Sequence, residues 1–331
     1  MKRTLVFLII LLLAAIPADA QPRGEKVRTV ELTLYPAKAP EPAQKYQLLP
    51  KAEEQTDADA VPLYEEAFKS SLLKDSQRDQ KIRQWVRTPI DKLPRKQVRS
   101  TLQKLKPTLQ LVEQAAKCKQ CNWPVVEAGQ VTDELMKNLP KYRQVAYILA
   151  LQARFQIARG QYDKAIDAIQ TGLAMAKHLG EAPTLVQGLV GTAIGGLIRQ
   201  QLEQLIQAAD APNLYWALQS LPKPFVDLTK QMEPLHDMEP VHDKVRLIMN
   251  RFDRHLAVLQ CIESLRLYAA AHDGKFPDEL SNVTEVPVPD DPVTRKPFVY
   301  QRTGAKAVLE APALEGATAK EAIRYELTLK E

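Results

Sequence analysis

The chain has 331 residues, 45% hydrophobic, 26% charged and only 6% aromatic, with a formal net charge of +5. That much apolar material supports a sizeable core and excludes disorder along the whole length, while abundant Ala, Leu, Gln, Lys and Glu beside scarce glycine favour helix. Three cysteines are too few for the disulfide framework of a small secreted domain, so the core must carry stability.

Residues 1–20 read as a cleavable export signal. Lys2 and Arg3 precede an apolar run from Leu5 to Ala15, and Ala18-Asp19-Ala20 supplies the small residues needed for cleavage before Gln21. The run falls well short of the ~20 residues of a membrane-spanning helix. The expectation is an exported protein, periplasmic or extracellular, with no transmembrane helix in the mature chain.

Within the N-terminal segment, 21–61, Thr29 to Tyr35 alternates apolar and polar residues, the pattern of a half-buried strand. Its core, Val30-Glu31-Leu32-Thr33-Leu34, is echoed near the other end as Tyr325-Glu326-Leu327-Thr328-Leu329. The echo predicts two strands of one sheet. A connector rich in proline and alanine follows from Pro36 to Pro42.

A helical domain is expected over 62–273. Asp59 is placed to cap its first helix, with Pro62 in the first turn and Leu63, Ala67 and Phe68 on one face. From Lys69 to Lys106 there are 12 basic and 3 acidic residues, yet Leu102, Leu105, Leu109 and Val112 keep a helical apolar stripe. The charge therefore lies on the solvated side. Arg83, Arg87, Arg95, Lys96 and Arg99 are its candidate contacts to an envelope protein or an anionic cell-surface polymer. Export and the absence of interleaved aromatics count against nucleic acid.

Cys118-Lys119-Gln120-Cys121 has the CxxC spacing of redox enzymes. Reactive thiols of that kind sit at a helix N-terminus, whereas this pair closes a helix running from about Val98. A passive disulfide, within the pair or to Cys261, is the expected state. Lys141 to Leu179 reads as a helical hairpin broken at Gly160, with Tyr142, Val145, Leu149 and Ala153 on one helix and Tyr162, Ala165, Ile169 and Leu173 on the next. The stretch Arg159-Gly160-Gln161-Tyr162-Asp163-Lys164-Ala165-Ile166 is similar to the junction of a tetratricopeptide repeat. No second copy follows at that period, so a solenoid is not implied.

Thr184 to Gln207 is a buried helix with a small-residue stripe, Gly188, Gly191, Thr192 and Gly195, that admits a close neighbour. Tyr215 and Trp216 form an aromatic pair on a short helix and are candidate partner contacts, one packing inward and one at the rim. Next comes a tandem repeat, Met232-Glu233-Pro234-Leu235-His236-Asp237 and Met238-Glu239-Pro240-Val241-His242-Asp243. His236, His242, Asp237 and Asp243 are metal-ligand types, although six residues is not a helical period and each Glu-Pro step reads as a turn or helix start. Val241 to Ala271 is a long helix whose stripe runs through Val245, Ile248, Phe252, Leu256, Leu259, Ile262 and Leu265 or Arg266, ended by Gly274. Residues 274–331 change to turns and short strands.

Lys45 to Pro50 with Leu63-Tyr64, Cys121-Asn122-Trp123, Gly160 to Ala165, Ala211 to Leu218 with Leu221-Pro222, and Pro287 to Tyr300 together resemble a family of exported proteins found in planctomycete bacteria. Asp59 stands where that pattern has Asn, and Asn122 where it has Asp. The resemblance implies export and a shared fold, and it carries no activity. Leu267-Tyr268, Gly274-Lys275-Phe276-Pro277, Asp291-Pro292 and Pro297 to Tyr300 are similar to the post-helix loop of secretion pseudopilins, without the prepilin start.

The expected fold is thus mainly α: a helical-hairpin array, tetratricopeptide-like in part, with a small antiparallel sheet of C-terminal strands that the N-terminal strand can join. No Ser/His/Asp elbow or phosphate-cradling loop is present, and the sequence names no cofactor. The functional expectation is a non-enzymatic binding or scaffold protein of the cell envelope. The alternative is a metal-dependent extracytoplasmic enzyme or metal-binding protein using His236 and His242.

Overall fold

A computed structural model describes residues 27–124, 133–233, 238–315 and 317–330. The strands are β1 (Thr29–Leu34), β2 (Thr56–Asp59), β3 (Cys118–Gln120), β4 (Val299–Thr303), β5 (Lys306–Ala311) and β6 (Ile323–Leu329). Four of them make one sheet in the order β1-β6-β5-β4, and β2 pairs separately with β3. The echoed pentapeptides lie side by side in register: Val30 faces Tyr325, Leu32 faces Leu327 and Leu34 faces Leu329. Identical alternation makes this pairing self-consistent, since both strands then turn their leucines to the same buried face.

The expected antiparallel sheet of C-terminal strands, joined by the N-terminal strand, is present. β4, β5 and β6 are antiparallel, but β1 runs parallel to β6. A parallel pair cannot be closed by a tight turn, and here every helix of the described residues lies on the crossover between the first and last strands.

Those helices are α1 (Ala60–Phe68), α2 (Ser76–Arg87), α3 (Arg95–Ala116), α4 (Asp133–Ile157), α5 (Tyr162–Gly180), α6 (Leu185–Leu205), α7 (Tyr215–Gln219), α8 (Thr229–Met232) and α9 (Glu239–Ala271). Side-chain caps open three of them by accepting orphaned backbone donors: Asp59 from Val61 N at 3.1 Å, Asp75 from Arg78 N at 2.9 Å and Thr184 from Gln187 N at 3.3 Å. Gly160 and Gly274 end α4 and α9 by adopting φ of +66° and +68°, a region where a Cβ is strained.

The expected hairpin is present, and α4, α5 and α6 form the centre of the array. Around them α3 packs on α1, α4 and α5, α2 packs on α4, and α9 crosses α6 and α7 to reach β5. One buried apolar cluster runs from Leu32 in β1 to Leu329 in β6. Among the described residues no helix is long and apolar enough to cross a membrane.

Three of the glycines of α6 each meet a different neighbour. Gly191 approaches the α5 backbone so closely that a Cβ there would sit 2.6 Å from Ala176 O and 2.9 Å from Gly180 N, whereas Gly188 faces Leu228 and Gly195 faces Phe252. Gly196 has open space beside it. Gly191→Ala should therefore destabilise the protein by ~1–3 kcal/mol through overpacking against backbone that cannot yield. Gly196→Ala should instead stabilise it by ~0.5–1 kcal/mol through helix propensity. Urea denaturation of the two variants reads the opposite signs.

Candidate functional site

The helices α2 and α3 follow one another in sequence and both pack on α4, with α3 packing also on α1 and α5. Between them lies a groove of about 630 Å³, within the ~300–1,000 Å³ typical of ligand sites. From α2 it is lined by Gln77, Arg78, Lys81, Gln84 and Trp85. Lys96, Gln97, Ser100 and Thr101 of α3 form the opposite wall, and Asp75 closes one end. Helical periodicity explains both walls. Positions 77, 81, 84 and 85 share one face of α2, and 96, 97, 100 and 101 share one face of α3.

Physical chemistry keeps this groove open. Ile82, Val86, Val98 and Leu105 bury the other faces of the two helices, and Trp85 is the one large apolar side chain in the groove lining. Closing the walls would bring Lys81 towards Lys96 and desolvate both ammonium groups. Asp75 is the one carboxylate in the lining, and it is spent: it caps α2 and pairs with Arg78 at 3.2 Å. Lys81 and Lys96 have no ion-pair partner among the described residues. Among the described residues, the side-chain amides of Gln77, Gln84 and Gln97, the hydroxyls of Ser100 and Thr101 and the indole N–H of Trp85 likewise have no hydrogen-bond partner.

The structure divides the basic residues singled out from sequence. Lys96 lines the groove. Arg87, Arg95 and Arg99 are exposed, outside the lining. Arg83 turns inward instead: it pairs with Asp79 at 2.8 Å and lays its guanidinium 4.2 Å from the centre of the Tyr147 ring. The residues missed were Lys81, Gln84, Trp85 and Gln97. Their signal was present as a polar stripe at helical spacing, and Trp85 is an aromatic inside the basic run, which corrects the reading that this run lacks one.

Tyr215 is buried and donates its hydroxyl to Pro287 O, and Trp216 lies half-buried against it, ring centres 5.2 Å apart. Of the histidine repeat, His236 and Asp237 lie outside the described residues. His242 sits half-buried in the first turn of α9, and Asp243 pairs with Arg246 at 2.6 Å. Among the described residues no group of three or more His, Cys, Asp or Glu is placed to hold a metal ion.

A second polar constellation carries nucleophile-type residues: Tyr64, His178, Cys118 and Cys121. α3 ends at Ala116, so the CxxC pair does not close a helix as expected; Cys118 opens β3. The disulfide expectation is also corrected, since Cys118, Cys121 and Cys261 are all free. Residues three apart on an extended strand point to opposite faces, and Cys261 lies on α9, which does not pack on β3. Burial pushes the Cys118 and Cys121 thiols up, and Cys261 up to about 12, the reverse of an activated thiolate. Thiol titration in denaturant should find three reactive groups per chain, with slow labelling of the folded protein.

His178 Nε2 lies 3.2 Å from the Cys118 carbonyl, which can only accept, so Nε2 carries the proton and Nδ1 accepts from the Tyr64 hydroxyl at 3.0 Å. Burial, outweighing the nearby Glu181 carboxylate, lowers the His178 pKa below its ordinary 6.5. The unfolded chain then binds a proton that the folded chain resists, so this contribution to stability is present above pH 6.5 and is lost as pH falls below it. Denaturation midpoints measured from pH 7.5 to 5 should decline, and His178→Gln should flatten the slope.

Comparison with known proteins finds no matching family model, no matching curated protein and no matching solved structure. Function must then be argued from the geometry of the site.

Proposed function

We propose that this is an exported binding protein of the cell envelope, which holds an anionic cell-surface polymer in the groove between α2 and α3. Export by the leader at residues 1–20 belongs to the same reading. What supports it above all is one observation: among the described residues, Lys81 and Lys96 have no ion-pair partner and line opposite walls of a groove whose one described carboxylate is already engaged. Cationic walls raise the local concentration of an acidic ligand and speed its arrival. The exposed Arg87, Arg95 and Arg99 extend the same field beyond the groove.

Such binding weakens with salt, because exposed charges separated by more than ~8–10 Å are screened at ordinary ionic strength. Heparin, used as a generic polyanion, should be retained by the protein at 50 mM salt. The double variant Lys81→Glu/Lys96→Glu should bind it at least tenfold more weakly with an unchanged melting temperature. Lys119→Glu, which removes an exposed pair with Asp57 elsewhere on the surface, should leave binding as it was. Equal binding by wild type and the double variant would overturn the proposal.

A further inference from the structure

We infer that the polymer taken by the α2–α3 groove is an acidic polysaccharide, with a sugar ring against Trp85 and its acidic group facing Lys81 and Lys96; this rests on the binding reading above and narrows it. Charge alone would suit any polyanion. The rest of the lining is what discriminates.

A phosphate only accepts, so it uses donors alone, from Arg, Lys, backbone N–H, hydroxyl and amide groups, and leaves acceptor atoms in a lining unmatched. Here three glutamines, Gln77, Gln84 and Gln97, line the walls, and each side-chain amide offers an acceptor as well as donors. Ser100 and Thr101 add hydroxyls that do both. Acceptor oxygens repel a chain of phosphates or carboxylates but match sugar hydroxyls, which also donate and accept. Among the described residues, none of these five side chains has a hydrogen-bond partner.

Trp85 supplies the second element. Its ring is half-buried, packed against the core, while it also lines the groove, so it is held rigidly with indole surface left for a ligand. The axial C–H groups of a pyranose form an apolar face that stacks on such a surface, and its hydroxyls can take the free indole N–H. An acidic peptide would instead call for apolar side-chain pockets, and the walls provide none.

Charge density agrees. The groove offers two cations without an ion-pair partner among the described residues, with Arg78 partly neutralised by Asp75. That suits one acidic group on each sugar or on alternate sugars better than a charge on every short repeat. A volume of about 630 Å³ admits a short stretch of a linear chain.

Calorimetric titration of the purified protein tests this, using a galacturonate oligosaccharide, a sulfated oligosaccharide, a neutral oligosaccharide of equal length, linear polyphosphate and polyglutamate. At least one of the two acidic sugars should bind tenfold or more tightly than the other three probes, and which of them does so identifies the acid as carboxylate or sulfate ester. Trp85→Ala should weaken that binding at least tenfold and Trp85→Phe should restore part of it. Because Trp85 also packs on the core, the exposed pair Gln84→Ala/Gln97→Ala provides an independent arm, with a loss of at least threefold expected and no change in melting temperature. Polyphosphate or polyglutamate binding as tightly as the sugars, or unchanged sugar binding by the glutamine pair, overturns the polysaccharide inference and leaves the polyanion reading standing. Failure of every acidic probe to bind overturns both.

Discussion

The guanidinium of Arg266 is fully buried, and the attachment of the sheet to the helices depends on it. Its NH1 lies 3.0 Å from both carboxylate oxygens of Glu263, one turn back on α9. The remaining donors reach Tyr35 O at 3.0 Å and Ala211 O at 2.9 Å. One side chain thus ties together the exit from β1, the loop before α7 and the C-terminal turns of α9. Asn213 closes the arrangement by donating to Glu263 O at 2.9 Å. Burial pushes the Glu263 carboxyl up, and the Arg266 charge and hydrogen bonds hold it down. Desolvating two charges costs several kcal/mol, which is offset only where hydrogen bonds compensate, and here each guanidinium nitrogen and each carboxylate oxygen has a partner. The pair specifies an arrangement more than it adds stability.

The same device recurs along the seam. Arg254 of α9 is buried against Asp291 at 2.8 Å and donates to Pro312 O, which fixes the loop between the Gly274 stop and the sheet. Arg199 and Glu203 of α6 meet the Tyr325 hydroxyl of β6, and His255 of α9 reaches the same oxygen at 3.1 Å. Each contact joins a helix to a segment far away in sequence. The sheet is therefore held at three points by groups too costly to leave unpaired.

The groove lies at the other side of this economy. The interior of the array is closed by apolar stripes and by the backbone contact at Gly191, whereas α2 and α3 bury only their inner faces. Their outer faces carry amides, hydroxyls and ammonium groups that gain nothing by meeting each other, so the groove is left to solvent water. A ligand that replaces that water with matched hydrogen bonds and opposite charge has something to gain that the protein has not already taken.

The sequence by itself determined everything that acts over a few residues: the caps at Asp59 and Thr184, the stops at Gly160 and Gly274, the α4–α5 hairpin, the mainly helical fold and the strand echo that proved to be a residue-for-residue pair. Such signals are local because a cap, a turn or a period-3.6 stripe is decided by neighbours within one or two turns of chain. Only the tertiary structure decided that β1 runs parallel to β6, since either direction satisfies the same alternation. Position 266, an alternative on an apolar stripe, turned out to be a buried charge, because periodicity counts faces and does not say which backbone carbonyls will be waiting there. The free cysteines and the groove have the same origin. Whether Cys118 meets Cys121 or Cys261, and whether Lys81 faces Lys96, depends on how separate elements are set against one another, and that is fixed by long-range packing rather than by any spacing along the chain.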